Sequence, residues 1–394
     1  MVAFFDFCIM NVKEILALIP EDKLQALTIE TKVNLHTKKL DGITVFKLLL
    51  YSMITEKNNS LRVMENIFNS YVFKNIINNN NHKCIKYNSI SERLSVIKVD
   101  FFEKLYQDCL NRFPSYNLEN RDNVLRFDST LLSVSAKLID FGFTSGGGRE
   151  HLKTLKFTVA YSDIPEFATF HHEPTFNSEN VALKHAILNC KASKEKIVLF
   201  DRGIQARGTF DEFEDEEILF VSRINPNPKH KLVKDNLLLK PIETETLLIK
   251  KEQIVRLANK KGKITKNIFR YIYAEQKDTG EPIAFITNIA HLDVLEITDL
   301  YKKRWDIEVF FKFLKQELNF SHLISRSKNG IQVMLYVTMI LAILLTVYKK
   351  KNKLKGFKLV KLKFANELET ELIKHIVIIC GGNPDNPLIK SAFW

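Results

Sequence analysis

Cysteine is scarce here, and what there is never pairs. The five cysteines, Cys8, Cys84, Cys109, Cys190 and Cys380, are scattered through 394 residues, and none stands in a Cys-x-x-Cys arrangement. That spacing argues against a thiolate zinc site and against a disulfide framework, and it fits a reducing cytoplasm. His171, His172 and His185 have no metal-ligand spacing and are expected to be structural. Gly146-Gly147-Gly148-Arg149 has the look of a phosphate-cradling turn, but no Walker lysine with a serine or threonine follows it, so ATP binding is not indicated. There is no internal repeat. The opening MVAFFDFCIMNVKEIL is apolar but lacks the basic flank and small-residue cleavage site of a signal peptide. A single long apolar run, Ile331–Tyr348, has a length near the threshold for a membrane span. It carries Gln332, Thr338 and Thr346 and has no counterpart elsewhere, so a buried core helix is expected, and no membrane partner.

What is present is ordinary in bulk and unusual in charge. Hydrophobic residues at 45% and charged residues at 26% suit a soluble globular enzyme rather than a disordered chain. The formal net charge is +12 and the isoelectric point about 9.2. Such a balance favours a polyanionic partner, nucleic acid first and an anionic membrane surface second. The length allows two or three domains.

Texture divides the chain. Residues 1–120 carry helical periodicity, in runs such as VKEILALI and DFFEKLYQDCLNRF. Ser89–Ile97 resembles one helix of a helix-turn-helix, although a plain helical bundle reads equally well. The polar stretch Ser115–Asn123 marks a boundary. Beyond it, Val124–Ala136, Leu155–Asp163, Ile197–Asp201 and Ile218–Ile224 read as strands and Asn180–Cys190 as a helix. Strands alternating with helices predict an α/β core, in a first part over 121–224 and a second over 289–350. Between them, residues 225–288 read as a β-rich basic insertion expected to contact DNA. Residues 351–394 form a C-terminal tail and a candidate dimerisation segment.

Two aspartates end apolar runs. Asp128 follows Val124–Phe127 and Asp201 follows Ile197–Phe200. A carboxylate at the end of a buried strand must offset its desolvation, and open α/β sheets bind ligands beyond the carboxyl ends of their strands. Each also has a bland reading: Asp128 as a turn or N-cap residue before Ser129 and Thr130, Asp201 as part of an Asp–Arg surface turn. Arg202 is suited to meeting a phosphate, and Gly203 to a tight turn.

A third carboxylate belongs to an ordered stripe. In YKKRWDIEVFFKFLKQEL, read as part of one long helix from about Ile297 to Leu318, Tyr301, Arg304, Glu308 and Lys315 fall at roughly 0°, 300°, 340° and 320° on a helical wheel. A phenol, a guanidinium, a carboxylate and an ammonium then line one strip beside the apolar face of Ile307, Phe311, Leu314 and Leu318. A solvated face usually explains such a pattern, but Lys302, Lys303, Asp306 and Glu317 already supply a separate polar side. Two metal ions clamping a phosphodiester need hard carboxylate oxygens, and flanking cations and a hydroxyl would hold the backbone in line. Trp305, at about 40° on that wheel, is assigned to core packing, with base stacking as its other reading.

Tyr-x2-Arg-x3-Glu-x6-Lys, with Phe127-Asp128-Ser129-Thr130 and Phe200-Asp201-Arg202-Gly203 before it, resembles the bacterial DDE insertion-sequence transposases of the YREK, or insertion-sequence-four, group. The similarity covers about residues 120–350, with the acids in the family's order. The resemblance implies an RNase H-like catalytic core, interrupted by the β-rich insertion and preceded by a helical DNA-binding domain. It implies Asp128, Asp201 and Glu308 as catalytic metal ligands, magnesium or manganese as two ions, and Tyr301, Arg304, Lys315 and Arg202 as DNA contacts. The partners implied are the element's terminal repeats and target DNA, with a homodimer in the synaptic complex. A metal-dependent nuclease without strand transfer, and a domesticated DNA-binding protein, are the alternative readings.

Overall fold

The computed structural model describes residues 10–78, 84–113, 123–144, 151–235, 238–320 and 322–384. The glycine turn at 146–149, the first nine residues and nearly all of the 115–123 boundary lie outside them. The chain forms two compact units, residues 1–120 with 312–394, and residues 121–311.

Among the described residues the first unit begins with six α-helices, α1 (Val12–Leu16), α2 (Glu21–Thr31), α3 (Gly42–Thr55), α4 (Leu61–Asn69), α5 (Tyr87–Val96) and α6 (Val99–Arg112), with a π-helix, Val72–Ile77, between α4 and α5. Asp41 caps α3 by accepting from the Thr44 amide at 2.8 Å, and an Asn11–Glu14 capping box starts α1.

In the second unit, β1 (Val124–Ser135), β2 (Phe143–Thr144), β3 (Leu152–Tyr161) and β4 (Pro165–His171) lead to α7 (Glu179–Asn189), β5 (Ile197–Phe200), α8 (Arg207–Asp215) and β6 (Phe220–Ile224). Then come β7 (His230–Lys234), β8 (Ile242–Glu243), β9 (Leu247–Leu257), β10 (Phe269–Gln276) and β11 (Pro282–Thr287). All join one sheet in the order β2-β3-β1-β5-β6-β11-β10-β9-β7, with β4 on β3 and β8 on β9. β1 runs antiparallel to β3 but parallel to β5, and β5 runs parallel to β6. The strands of the basic stretch therefore prolong the same sheet. Alternation sorts the core: Leu125, Phe127, Val198 and Phe200 face α7 and α8, while Val124, Ile197 and Leu199 face the opposite side.

Two helices follow, α9 (Val294–Lys302) and α10 (Trp305–Glu317). The expected single helix from Ile297 to Leu318 is broken. At Lys303 and Arg304 the amides bond three residues back, to Leu300 and Tyr301, and α10 starts in a new phase. Trp305 is consequently 61% exposed, not packed in a core as its wheel position suggested.

The first unit is completed by α11 (Lys328–Lys351) and α12 (Phe357–Ile379). The apolar stretch of α11 is 94% buried, packed on α1, α3, α5, α6 and α12, as expected of a core helix.

Candidate active site

The β1–β5 register sets the first two acids. Phe127 pairs with Phe200, so Asp128 and Asp201 stand one position past the last parallel pair. They share a parity with Val124, Ile197 and Leu199, which puts both on the face covered by α9. Asp128 does not end its strand as expected, because β1 continues to Ser135 along β3. It is where β1 loses its parallel partner.

The α9–α10 junction is drawn onto this face. Arg126, only 1% exposed and pointing the same way as Asp128, donates to the Lys303 carbonyl and pairs with Asp306 at 2.9 Å. Phe310 stacks on Tyr161 of β3 with ring centroids 4.4 Å apart. These contacts bring three side chains of the stripe to the acids. The Tyr301 hydroxyl donates to Asp201 Oδ1 at 3.2 Å, and Arg304 Nη2 donates to Glu308 Oε1 at 2.6 Å.

Charge binds the group together. Burial pushes the Asp128 carboxyl up to about 6, against the Ser129 amide bond and the Arg304 guanidinium, which both pull it down; Glu179 and Glu308 push it further up. Burial also opposes the Arg304 charge, yet Tyr301, Glu308 and Asp201 together hold its pKa above the ordinary value. Burial, then Asp201, raise the Tyr301 hydroxyl. One guanidinium is thus felt by all three acids. Its Nε is buried and without a hydrogen-bond partner among the described residues.

The sequence model of the transposase DDE domain matches residues 119–345, more than half the chain, a span within which Asp128, Asp201 and Glu308 lie. The chain belongs to the DDE transposase family. It is 24% identical over 264 residues to a probable transposase for insertion sequence element IS5377 of Geobacillus stearothermophilus, covering 66% of each chain. It is 27% identical over 239 residues to a candidate transposase, y4zB, of Sinorhizobium fredii, covering 60% of this chain and 64% of that one. A candidate transposase for element IS4SA of Synechocystis is 22% identical over 266 residues, 64% of this chain and 68% of that one. The chain spans about two thirds of the length of these curated relatives.

In this DDE family member, Asp128, Asp201 and Glu308 face a common arginine but do not close into a cation cage. Among the described residues no group of three His, Cys, Asp or Glu side chains is tight enough to hold an ion. Arg304 holds Glu308 and Tyr301 holds Asp201 instead. Arg202 is exposed. Lys315, half-buried on α10, falls in the first unit. His171 is buried and stacks on Phe176, with ring centroids 4.3 Å apart, and burial lowers its pKa to about 4.

Sequence reasoning passed over three residues. Arg126 was visible as the lone cation inside the apolar run VLRFD. Glu179 and Lys156 had no such signal. Lys156, 2% exposed on β3, donates to Glu179 Oε2 and to the Asn177 carbonyl, each at 2.8 Å. Glu179 packs so closely on Gly203 that a Cβ there would lie 2.6 Å from its Cγ, which explains the glycine after Asp201-Arg202.

Proposed function

We propose that the chain is a DNA transposase of the YREK group that cuts at the ends of its own insertion sequence and joins them to target DNA. One observation carries the reading: Asp128 and Asp201 occupy matched positions just past the β1–β5 parallel pairs, beneath the helix junction that bears Tyr301, Arg304 and Glu308. The β4-β3-β1-β5-β6 order, antiparallel and then parallel, supports an RNase H-like core.

The donor set fits magnesium or manganese, since it offers hard carboxylate oxygens, and a cation would relieve the burial that disfavours the Asp128 charge. Asp128, Asp201 and Glu308 would hold two such ions. When bound, they supply Lewis acidity to the phosphodiester and a hydroxide nucleophile. The chain's own residues do the rest. Tyr301 orients Asp201, and Arg304 steadies Glu308 and is assigned to a phosphate oxygen. Arg202 and Lys315 are assigned to the DNA backbone. Residues 1–120 are assigned to end recognition and 351–394 to dimerisation in a cytoplasmic, nucleoid-associated synaptic complex.

The test is incubation of the purified chain with duplexes bearing its element's ends, in Mg²⁺ or Mn²⁺. Nicked ends and joined products are expected. Nicks without joining favour a nuclease, and binding without any cleavage in either metal overturns the catalytic reading.

A further inference from the structure

The basic stretch is less uniformly charged than its composition suggests. Lys250 is paired with Glu275 at 2.5 Å, Lys266 with Asp215 at 2.9 Å and Lys277 with Glu243 at 2.5 Å. Arg270 is spent on Glu252, and Arg256 on the carbonyls of Thr265 and Lys266. These cations are neutralised or structurally committed, so they offer little to a polyanion.

A different set is uncommitted, and it converges. Arg207 at the start of α8, Lys229 in the loop after β6, and Lys260 and Lys261 in the β9–β10 turn line one open cleft of about 640 Å³. None of the four has a carboxylate partner among the described residues, and no carboxylate lines the cleft there. Arg207 is the informative member. Burial lowers its pKa with no compensating counter-charge, and its Nη1 is buried without a hydrogen-bond partner among the described residues. A half-buried guanidinium without a counter-charge is costly, and an anion in the cleft would offset that cost. Asn227 and Asn259 add amide groups to the wall. The cleft also adjoins the candidate active site along the chain. Its Gln205 bonds the Arg202 carbonyl, and its Asn180 follows Glu179 and receives the Ala206 amide at 2.9 Å.

We propose that this cleft is a binding site for the phosphodiester backbone of duplex DNA, holding the strand that flanks the reacting phosphate. The inference rests on the DNA reading above and assigns part of that contact to Arg207, Lys229, Lys260 and Lys261 rather than to the basic stretch at large. Cations from three separate segments match a run of successive phosphates, because duplex DNA carries one charge per about 1.7 Å of axis.

The test uses the full chain and a random-sequence duplex, since backbone contacts do not depend on sequence. For the Lys260→Gln, Lys261→Gln double variant, the slope of log affinity against log salt should shrink by about 1.8, at about 0.9 for each released counterion. Lys277→Gln, a paired lysine of the same stretch, should leave the slope unchanged. Gly208→Glu supplies an independent probe. A side chain there meets open space, and a carboxylate in the first turn of α8 suits the helix dipole, so folding should be kept. It would put a negative charge into the cleft and should weaken binding at least tenfold at low salt. A steep wild-type slope that neither the double variant nor Gly208→Glu alters overturns the cleft alone. A wild-type chain that shows no salt-dependent DNA binding overturns the cleft and the DNA reading together.

Discussion

Arg304 Nη2 lies 2.6 Å from Glu308 Oε1, so the last carboxylate of the site is held by a cation of its own chain. The same guanidinium is felt by Asp128 and Asp201. It therefore competes for the oxygens that a divalent ion would take. Arg304→Ala should bind Mn²⁺ more tightly in the absence of DNA, by up to about tenfold for about 1.4 kcal/mol of relieved competition. Cleavage should nevertheless fall, because a phosphate contact goes with it. Calorimetric titration of both proteins reads the first effect. Weaker Mn²⁺ binding by the variant would mean that Arg304 organises the acids rather than competing for them.

Asp128 makes stability depend on pH in a definite direction. Its folded pKa of about 6 exceeds the ordinary 3.8, so the folded chain binds the proton more tightly than the unfolded one. That contribution is complete below 3.8 and is lost as pH rises towards 6. Asp128→Asn keeps the oxygen that accepts from Ser129 and removes the titration. In metal-free buffer it should be more stable than wild type at pH 7.5, by about 2–3 kcal/mol at most, and no more stable at pH 4. Urea midpoints at the two pH values measure this. Manganese should raise the melting temperature of wild type but not of the variant, and an equal rise in both would remove Asp128 from the ligand set.

Tyr301 joins α9 to Asp201 by one hydrogen bond while its ring packs edge-on against Phe285, centroids 5.1 Å apart. Tyr301→Phe keeps the packing and loses only the bond, at about 1 kcal/mol of stability. Asp201 then loses its orienting donor. The cleavage rate should drop roughly tenfold, far less than for Asp201→Asn. Single-turnover rates on an end-bearing duplex compare the two, and equal losses would make Tyr301 more than a positioning residue.

The strands were legible where β-branched and aromatic residues gather, and β1, β3, β5 and β6 begin within about three residues of the runs that predicted them. The register that aligns Asp128 with Asp201 was not, because pairing depends on a partner 73 residues away, as between Phe127 and Phe200. The break after Lys302 was hidden for a related reason. No glycine or proline marks it. The Lys303 carbonyl is taken by Arg126, a tertiary contact that local periodicity does not register. A wheel drawn through the break put Trp305 inside, whereas it is exposed. Charge behaved likewise: the crowd of lysines was visible, but not which of them carboxylates had neutralised.

The two jobs assigned to α10 separate by substitution. Glu308 is a hard oxygen donor, whereas Lys315 has only ammonium protons to offer, so one suits a divalent ion and the other a phosphate. Glu308→Gln is close to isosteric, and its amide oxygen still accepts from Arg304. It removes one negative charge beside Asp128, so DNA binding should be unchanged or slightly tighter. Cleavage should fall at least about a hundredfold if the lost metal contact is worth about 3 kcal/mol. Lys315→Ala should instead weaken binding to any duplex and reduce the salt slope by about 1. At saturating DNA its residual cleavage should exceed that of Glu308→Gln by a wide margin. Parallel binding and single-turnover assays on one duplex make the comparison. Normal cleavage by Glu308→Gln in Mg²⁺ would leave α10 a merely charged helix and remove the third acid from the site.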